Sequence, residues 1–236
     1  MSTYLLVHGA WHGAWSWYKI IPRLERAGHR VIAPDLPGLG RDTTPLREIS
    51  LASWVDFLCA QLDREREPVI LVGHSRAGIV ISQTAEHRPD RIRTLVYVTA
   101  ILPRHGESMS RLVAGVESLI TPNSIVSDDR LSCSIREEVL RDGFYACCSD
   151  EDVTLARKLL RPEPVAPMIT PVTLTDQNFG RVPRVYVECL QDRAIALSLQ
   201  RQMHTATPCQ RVASINTDHS PFLSRPDELA EILLSI

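Results

Sequence analysis

The sequence predicts a doubly wound α/β domain built on a mainly parallel sheet. Short apolar runs, rich in Val, Ile and Leu, recur along the chain, and segments of helix length separate most of them. Runs that are apolar at nearly every position are typical of parallel strands that are covered on both faces. The length of 236 residues fits one catalytic domain with room for an insertion.

Each element has its own signal in the sequence. The six apolar runs predict strands at 4–9, 30–38, 68–74, 92–100, 184–190 and 210–215. Helical patterns predict helices at 15–27, 50–64, 76–87, 195–205 and 226–235. The last helix follows Ser224, Pro226 and Asp227, which are residues typical of a helix start.

The alternation of strands and helices stops between Leu102 and Arg184. This stretch contains helical fragments rich in Ser, Asp, Glu and Arg, and it ends in RPEPVAPMITP. A long insertion after a core strand is typical of a cap over the carboxyl edge of the sheet. We therefore predict one catalytic domain, with a core at 1–103 and 180–236 and a helical cap, inserted after the fourth predicted strand, at 104–179.

Composition and charge narrow the classes of function. The formal net charge is −2 and the pI is near 6.4, so the chain lacks the basic surface that nucleic acids and anionic membranes attract. The start MSTYLLVHG has no basic segment and no small-residue cleavage site, so no signal peptide is expected. No apolar run reaches the roughly 20 residues of a membrane span. A neutral or weakly charged small molecule is the expected partner.

The six cysteines show neither CxxC pairs nor the spacing of a zinc site. Cysteines in this pattern are typical of reduced, small apolar residues in a cytosolic protein. We therefore expect a cytoplasmic location and no metal. Whether the chain forms a homodimer is left open.

The stretch LVGHSRAG predicts a nucleophile elbow at Ser75. The third predicted strand ends near Gly73 and a helix begins just after Ser75, which is the context that a G-x-S-x-G elbow requires. A serine on such a turn projects its hydroxyl above the sheet, and the next backbone N–H lies at a helix N-terminus. The sequence thus predicts both a nucleophile and an oxyanion donor.

A serine hydroxyl needs a base, and the base needs an acid to orient it. Of the eight histidines, His219 follows the last predicted strand, where the carboxyl edge of the sheet would place it over Ser75. Asp192 follows the preceding strand and is the predicted acid. Its competitor Asp218 is adjacent to His219, and adjacent side chains usually point apart. The order Ser75, Asp192, His219 is the chain order of α/β-hydrolases.

The loop after the first strand, VHGAWHGAW, is predicted to complete the oxyanion hole. Gly9 permits a close approach of the backbone, and the Ala10 N–H is the expected partner of the Arg76 N–H. Further residues near the nucleophile or in the cap are candidates for the substrate pocket: Gly9, Trp11, His12, His74, Phe144 and Tyr145.

Four stretches together resemble the α/β-hydrolase superfamily: HGAWHGAWSWYKIIPRLERAGHRVIAPDLPG, GHSRAG, VYVECLQDRAI and DHSPFLSRP. The resemblance covers nearly the whole chain. It is nearest to the compact branch that contains plant methylesterases such as the salicylate-binding methylesterase, hydroxynitrile lyases, and bacterial esterases including pyrethroid hydrolases. It implies the α/β-hydrolase fold, a serine triad, an oxyanion hole from Ala10 and Arg76, and no cofactor.

Departures from that branch favour hydrolysis. The lyases replace the glycine of the first-loop HG by a threonine and carry a lysine after the catalytic histidine, whereas this chain has Gly9 and Ser220. The usual second glycine of the elbow is Ala77 here, and Gly78 follows it. We expect a serine carboxylesterase for small to medium hydrophobic or aromatic esters, including methyl or pyrethroid-like esters. Lyase chemistry, and ligand binding without catalysis on the same scaffold, are the alternatives.

The side chain of Arg76 has two interpretations. In the favoured one, its guanidinium turns away from the site and pairs with a carboxylate. In the other, it borders the pocket and selects substrates that carry a carboxylate.

Overall fold

The computed structural model describes all 236 residues and contains the predicted sheet. Six strands form it: β1 (Thr3–Val7), β2 (Arg30–Ile32), β3 (Val69–His74), β4 (Ile92–Val98), β8 (Arg184–Cys189) and β9 (Arg211–Ile215). Their order is β2-β1-β3-β4-β8-β9, and every neighbouring pair is parallel. All six strands lie where the apolar runs predict them. Their carboxyl ends therefore meet at one edge of the sheet.

Helices cover both faces of this sheet. They are α1 (Ile21–Arg26), α2 (Leu51–Asp63), α3 (Ala77–His87), α8 (Leu197–Ala206), the short α9 (Pro221–Ser224) and α10 (Pro226–Leu234). Four of them match the predicted helices closely. The helix predicted at 15–27 is instead a 3-10 turn at Ala14–Trp17 followed by α1, in which Pro22 occupies the first turn. Proline lacks a backbone N–H, so a helix can begin there but does not run through it undisturbed.

Two buried clusters, one on each face, explain why the strands are apolar at successive positions. In β1, Leu5 and Val7 pack into the cluster that includes Trp54 of α2, whereas Tyr4 and Leu6 pack into the other. Side chains alternate across a strand, so both sets must be apolar when both faces are covered. The sheet thus forms a rigid platform for its carboxyl edge.

The cap lies between β4 and β8. It contains α4 (Met109–Val113), β5 (Ser124–Val126), β6 (Ser132–Ile135), α5 (Leu140–Phe144), α6 (Asp150–Leu159), β7 (Glu163–Pro164) and α7 (Val165–Ile169). Four of these elements are helices, and they lie in the stretch for which a helical cap is predicted. The small antiparallel sheet β5-β6-β7 was not expected. Strands of two to four residues are too short to give a recognisable alternation of apolar and polar residues.

The six cysteines are free thiols, four of them buried. This state agrees with their interpretation as small apolar residues. None of the helices combines the length and the hydrophobicity that crossing a membrane would require.

Candidate active site

Ser75 lies on a strained turn between β3 and α3. Its φ is 53°, in the left-handed region that non-glycine residues seldom adopt. The turn is held by three backbone hydrogen bonds: Ser75 N donates to Val98 O (3.2 Å), and Ser75 O accepts from Gly78 N (3.1 Å) and Ile101 N (3.0 Å). The strain is thus maintained by the neighbouring β4 segment, and it places the hydroxyl at the carboxyl edge of the sheet.

Gly78 provides the close packing that this turn needs. A Cβ built on Gly78 would lie 1.9 Å from the carbonyl oxygen of Ile101. Ala77, at the position where the family usually has the second glycine, is fully buried without such a conflict. The turn therefore requires a glycine at position 78 and accommodates the methyl group of Ala77.

His219 and Asp192 meet at the same edge. His219 Nδ1 lies 2.6 Å from Asp192 Oδ2. The other carboxylate oxygen of Asp192 accepts hydrogen bonds from the backbone N–H groups of Ala194 (2.7 Å) and Ile195 (2.9 Å). Thr99 Oγ1 donates to Asp192 Oδ2 at 2.5 Å. Three donors, Ala194 N–H, Ile195 N–H and the Thr99 hydroxyl, therefore hold the carboxylate in place, and the carboxylate in turn orients the imidazole.

Asp218, the competing acid, has other partners. Its oxygens accept from the backbone N–H groups of Ser220 (3.1 Å) and Cys147 (2.7 Å). It contacts the backbone beside His219 and not the imidazole. Its role in the structure is to fasten the loop that carries His219 to the cap.

His219 is also held from the elbow itself. His74 Nε2 lies 2.8 Å from the carbonyl oxygen of His219, and the two rings are 4.6 Å apart. His74, whose ring packs against His219, directly precedes Ser75, and no hydrogen bond joins the Ser75 hydroxyl to the His219 ring. Such bonds often form only when substrate is present. Ser75 is 5% exposed and His219 1%, so the site is almost closed to solvent.

Neither of the two backbone N–H groups predicted for the oxyanion hole has an acceptor in the protein. They belong to Ala10, in the loop after β1, and to Arg76, at the start of α3. The neighbouring Trp11 N–H is occupied, because it donates to Glu163 Oε2 at 2.8 Å. The two donors predicted for an oxyanion hole are therefore both unoccupied, as that role requires.

The Arg76 side chain pairs with a buried carboxylate, as the first of its two interpretations predicts. It is fully buried, and its Nε lies 2.7 Å from Oε1 of Glu163, which is also fully buried. Its Nη2 donates to the Gly9 carbonyl (3.1 Å), and the guanidinium lies 4.2 Å from the centre of the Trp54 ring. Burial lowers the pKa of Arg76 and raises the pKa of Glu163, and the attraction between the two charges opposes both shifts.

The aromatic residues predicted for the pocket form one connected group, which reaches His219 through Phe144. The Phe144 ring lies 5.5 Å from the His219 ring and 5.6 Å from the Trp11 ring. His12 and Tyr145 are further back, with the Tyr145 hydroxyl 2.7 Å from His12 Nε2. Phe144 thus lies beside the imidazole and Trp11 packs behind Phe144, whereas the polar ends of His12 and Tyr145 contact each other.

Three histidines at this edge are buried and neutral. Burial lowers the pKa of His8 to about 3 and the pKa of His12 to about 4. It also lowers the pKa of His74 well below the usual value. In each case desolvation is the largest cause, because a charged imidazole is costly away from water.

Sequence reasoning missed two residues of this site, Thr99 and Glu163. Thr99 directly follows β4, so its position at the carboxyl edge was available from the strand prediction. Glu163 is a single acid in the proline-rich end of the cap, and no local pattern connects it with Arg76, 87 residues away.

A serine on a strand-to-helix elbow, with a histidine and an aspartate from the loops after later strands, defines the class of α/β-hydrolases. The chain belongs to the alpha/beta hydrolase family, whose family model matches residues 4–232. This match confirms the predicted fold class and the resemblance.

The relatives of this chain include plant esterases. It is 35% identical over 248 residues to putative methylesterase 11, chloroplastic, of Arabidopsis thaliana, a match that covers 100% of this chain and 64% of that protein. It is 33% identical over 254 residues to methylesterase 9 of the same plant, covering 100% of this chain and 98% of that protein. The crystal structure of a pyrethroid hydrolase from Sphingobium faniae JZ-2 superposes with a TM-score of 0.90 at 29% identity, covering 99% and 96% of the two chains. These similarities support a hydrolase of the esterase type.

Proposed function

We propose that the protein is a serine-dependent carboxylic-ester hydrolase in which Ser75 is the nucleophile, His219 the base and Asp192 the acid. The observation that carries the proposal is the 2.6 Å contact between His219 and Asp192 beside a serine held on a strained elbow. The two unoccupied N–H groups of Ala10 and Arg76 support it.

The proposed mechanism is acyl transfer. His219 takes the proton of Ser75 while the hydroxyl oxygen attacks the ester carbonyl. The N–H groups of Ala10 and Arg76 stabilise the oxyanion, and the alcohol leaves with the proton from His219. A water molecule, deprotonated by the same imidazole, then releases the acid and restores Ser75. These steps need no cofactor.

The proposed substrates are small to medium hydrophobic or aromatic esters. Phe144 lies beside the imidazole and Trp11 packs against Phe144, and the buried charges of Arg76 and Glu163 neutralise each other. The names of the relatives support methyl esters, and a larger alcohol of the pyrethroid type is the second candidate. Because Ser75 is only 5% exposed, aromatic or cap side chains must move before an ester of this size reaches it.

The proposal is tested by comparing the natural chain with Ser75→Ala on a panel of aromatic acids, each offered as a methyl ester and as a bulkier ester. We expect the variant to lose at least about 1,000-fold in kcat, since removal of a triad member is that costly, and to retain its melting temperature. A fluorophosphonate probe should label the natural chain and not the variant. Ester turnover that survives in Ser75→Ala would contradict the proposal.

The same panel separates the alternatives. Mandelonitrile cleaved to an aldehyde, without ester turnover, would indicate a lyase. The presence of Gly9 and Ser220 at the positions where the lyases carry threonine and lysine speaks against that outcome. Absence of probe labelling in the natural chain would indicate a ligand-binding protein.

We also propose a cytoplasmic location and a small-molecule ester as the partner. The six free thiols are compatible with a reducing compartment. The net charge of −2 favours a small ester over nucleic acid or an anionic membrane surface.

A further inference from the structure

The loop that carries Ala10 is held through its backbone carbonyl groups. The Gly9 carbonyl oxygen accepts from Arg76 Nη2 at 3.1 Å and contacts His8 Nδ1 at 2.9 Å. The Leu36 N–H donates to His8 Nε2 at 3.1 Å, so the ring proton of His8 is on Nδ1, which donates to Gly9. The Gly9 carbonyl therefore has two donors from the core of the protein.

These two bonds fix the direction of the Ala10 N–H. The Gly9 carbonyl and the Ala10 N–H belong to one planar trans peptide group, in which the C=O and the N–H point in opposite directions. Holding the oxygen therefore aims the N–H, and it leaves that N–H free. A charged donor on the carbonyl also polarises the peptide group, which makes its N–H a better donor.

Glu163 connects this loop with the residue that follows the nucleophile. Its Oε1 accepts from Arg76 Nε at 2.7 Å, and its Oε2 accepts from the Trp11 N–H at 2.8 Å. Both charged side chains are fully buried. Glu163 belongs to β7 of the cap, so the cap holds both sides of the oxyanion hole through one carboxylate.

We propose that Arg76 and Glu163 are positioning residues of the oxyanion hole. Arg76 supplies one donor with its backbone and aims the other, the Ala10 N–H, with its guanidinium, while Glu163 fixes the guanidinium and the adjacent Trp11 N–H. The inference rests on the proposed esterase function. The Arg76 side chain thereby contributes to turnover although it does not touch the substrate.

A purely structural ion pair would behave differently, and the chain offers a matched control. Lys19 Nζ lies 2.6 Å from Asp152 Oδ2, which joins the core to α6 of the cap, and the Asp152 side chain is 3% exposed. The remaining partners of this pair are Tyr18, Ser149 and the carbonyl of Leu223. It therefore links cap and core without contacting the loop of Ala10 or the elbow.

The test compares two double variants, Arg76→Met/Glu163→Gln and Lys19→Met/Asp152→Asn. Each removes both charges of one ion pair between cap and core, so no unpaired buried charge is left. For each we measure the melting temperature, kcat and KM for an ester that the natural chain hydrolyses, and the inhibition constant of an aryl boronic acid. A boronate forms a tetrahedral adduct with the serine and so reports on the oxyanion hole.

For Arg76→Met/Glu163→Gln we expect kcat to fall about 10- to 100-fold, with KM within about twofold, because the donors are misplaced and not removed. Boronate affinity should fall by a similar factor. For Lys19→Met/Asp152→Asn we expect natural kcat and boronate affinity. Natural kcat in the first variant, or an equal loss in both, would overturn the proposal.

If the first variant does not fold, Arg76→Lys decides. A lysine keeps the charge beside Glu163 but offers a single ammonium group, which cannot hold Glu163 and the Gly9 carbonyl with the geometry of a guanidinium. The same selective loss of kcat is expected, and natural kcat would overturn the inference. Ser75→Ala is measured alongside. If it hydrolyses the ester as fast as the natural chain, the esterase proposal fails and this inference with it, whereas an inactive Ser75→Ala beside a fully active arginine variant rejects only the positioning role.

Discussion

The two edges of the central sheet differ in whether their polar side chains are exposed or buried. At the amino edge, an open groove of about 860 Å³ is lined by five arginines, Arg30, Arg64, Arg66, Arg93 and Arg181. Its ion pairs face solvent, as the 60% exposure of the Arg30 side chain beside Glu65 shows. At the carboxyl edge, the Arg76–Glu163 pair and the neighbouring histidines are buried.

Backbone strain follows the same division. Three non-glycine residues with positive φ lie in the loops after β1, β3 and β4: Trp11 (63°), Ser75 (53°) and Thr99 (37°). At the amino edge a positive φ is found at Gly28, just before β2, and a glycine adopts this conformation with little strain. The larger concavity is thus at the relaxed, solvated edge. Buried polarity and strain, and not the size of a groove, locate the candidate chemistry.

The largest expected difference between the edges concerns their carboxylates. Asp192→Asn should lower kcat about 1,000- to 10,000-fold, because an amide NH2 group must face either the His219 Nδ1–H or the N–H groups that now hold Asp192. The imidazole would then lose the tautomer that lets its other nitrogen accept the serine proton. Steady-state kinetics on the best ester of the panel measures the loss.

Glu65→Gln at the amino edge is the matched control. Its partner Arg30 lies 3.3 Å away and is well exposed, so the free energy of unfolding should change by less than about 1 kcal/mol and kcat should stay the same. A comparable loss of kcat in both variants would remove the distinction between the two edges.

The second difference concerns glycine. A Cβ at Gly9 would lie 2.5 Å from His74 Nδ1 and 3.1 Å from Ser75 Cβ. His74 has little freedom to yield, since its other nitrogen is bonded to the His219 carbonyl at 2.8 Å. In Gly9→Ala the loop must therefore shift and carry the Ala10 N–H with it. We expect kcat to fall about 10- to 100-fold, measured together with the boronate inhibition constant.

Gly28→Ala controls for the general cost of replacing a glycine. Its φ is +83° and its Cβ would meet no atom within 4 Å. The variant should lose about 1 kcal/mol of stability through backbone strain and keep its kcat. Unchanged kcat in Gly9→Ala would show that the space beside His74 is not what the oxyanion loop needs.

The sequence predicted the part of this molecule that local patterns determine. Parallel strands buried on both faces appear as apolar runs, and their carboxyl ends converge whatever the loops contain. Placing Ser75, Asp192 and His219 at one edge therefore required only the strand positions and the chain order.

The cap was harder to predict for a physical reason. Its strands β5 and β7 have three and two residues, which is too few for a pattern. The pairing of Glu163 with Arg76 depends on how the cap folds back over the elbow. Contacts between residues so far apart in the chain produce no local sequence pattern. The partner of the arginine in GHSRAG could therefore not be identified from the sequence, and the structure shows that it is Glu163.

The third difference between the two edges of the sheet concerns the pH dependence of stability. Burial lowers the pKa of His12 to about 4, whereas an imidazole in the unfolded chain titrates near 6.5. Below that pH the unfolded state binds a proton that the folded state does not, so stability is present above pH 6.5 and is lost as the pH falls toward 4. When the pH falls from 6.5 to 5.5, the free energy of unfolding should decrease by about 1 kcal/mol because of His12. Guanidinium groups do not titrate in this interval, so the arginines of the amino-edge groove add nothing to the change.

His12→Gln isolates this contribution. A glutamine amide offers a donor and an acceptor for the two partners of His12, the Ala10 carbonyl (2.7 Å) and the Tyr145 hydroxyl (2.7 Å), without a titratable group. Urea unfolding at pH 6.5 and 5.5 should therefore show a smaller drop in the variant than in the natural chain, by about 1 kcal/mol. Equal drops in the two proteins would mean that His12 takes up a proton in the folded state, which its dry surroundings at the carboxyl edge oppose.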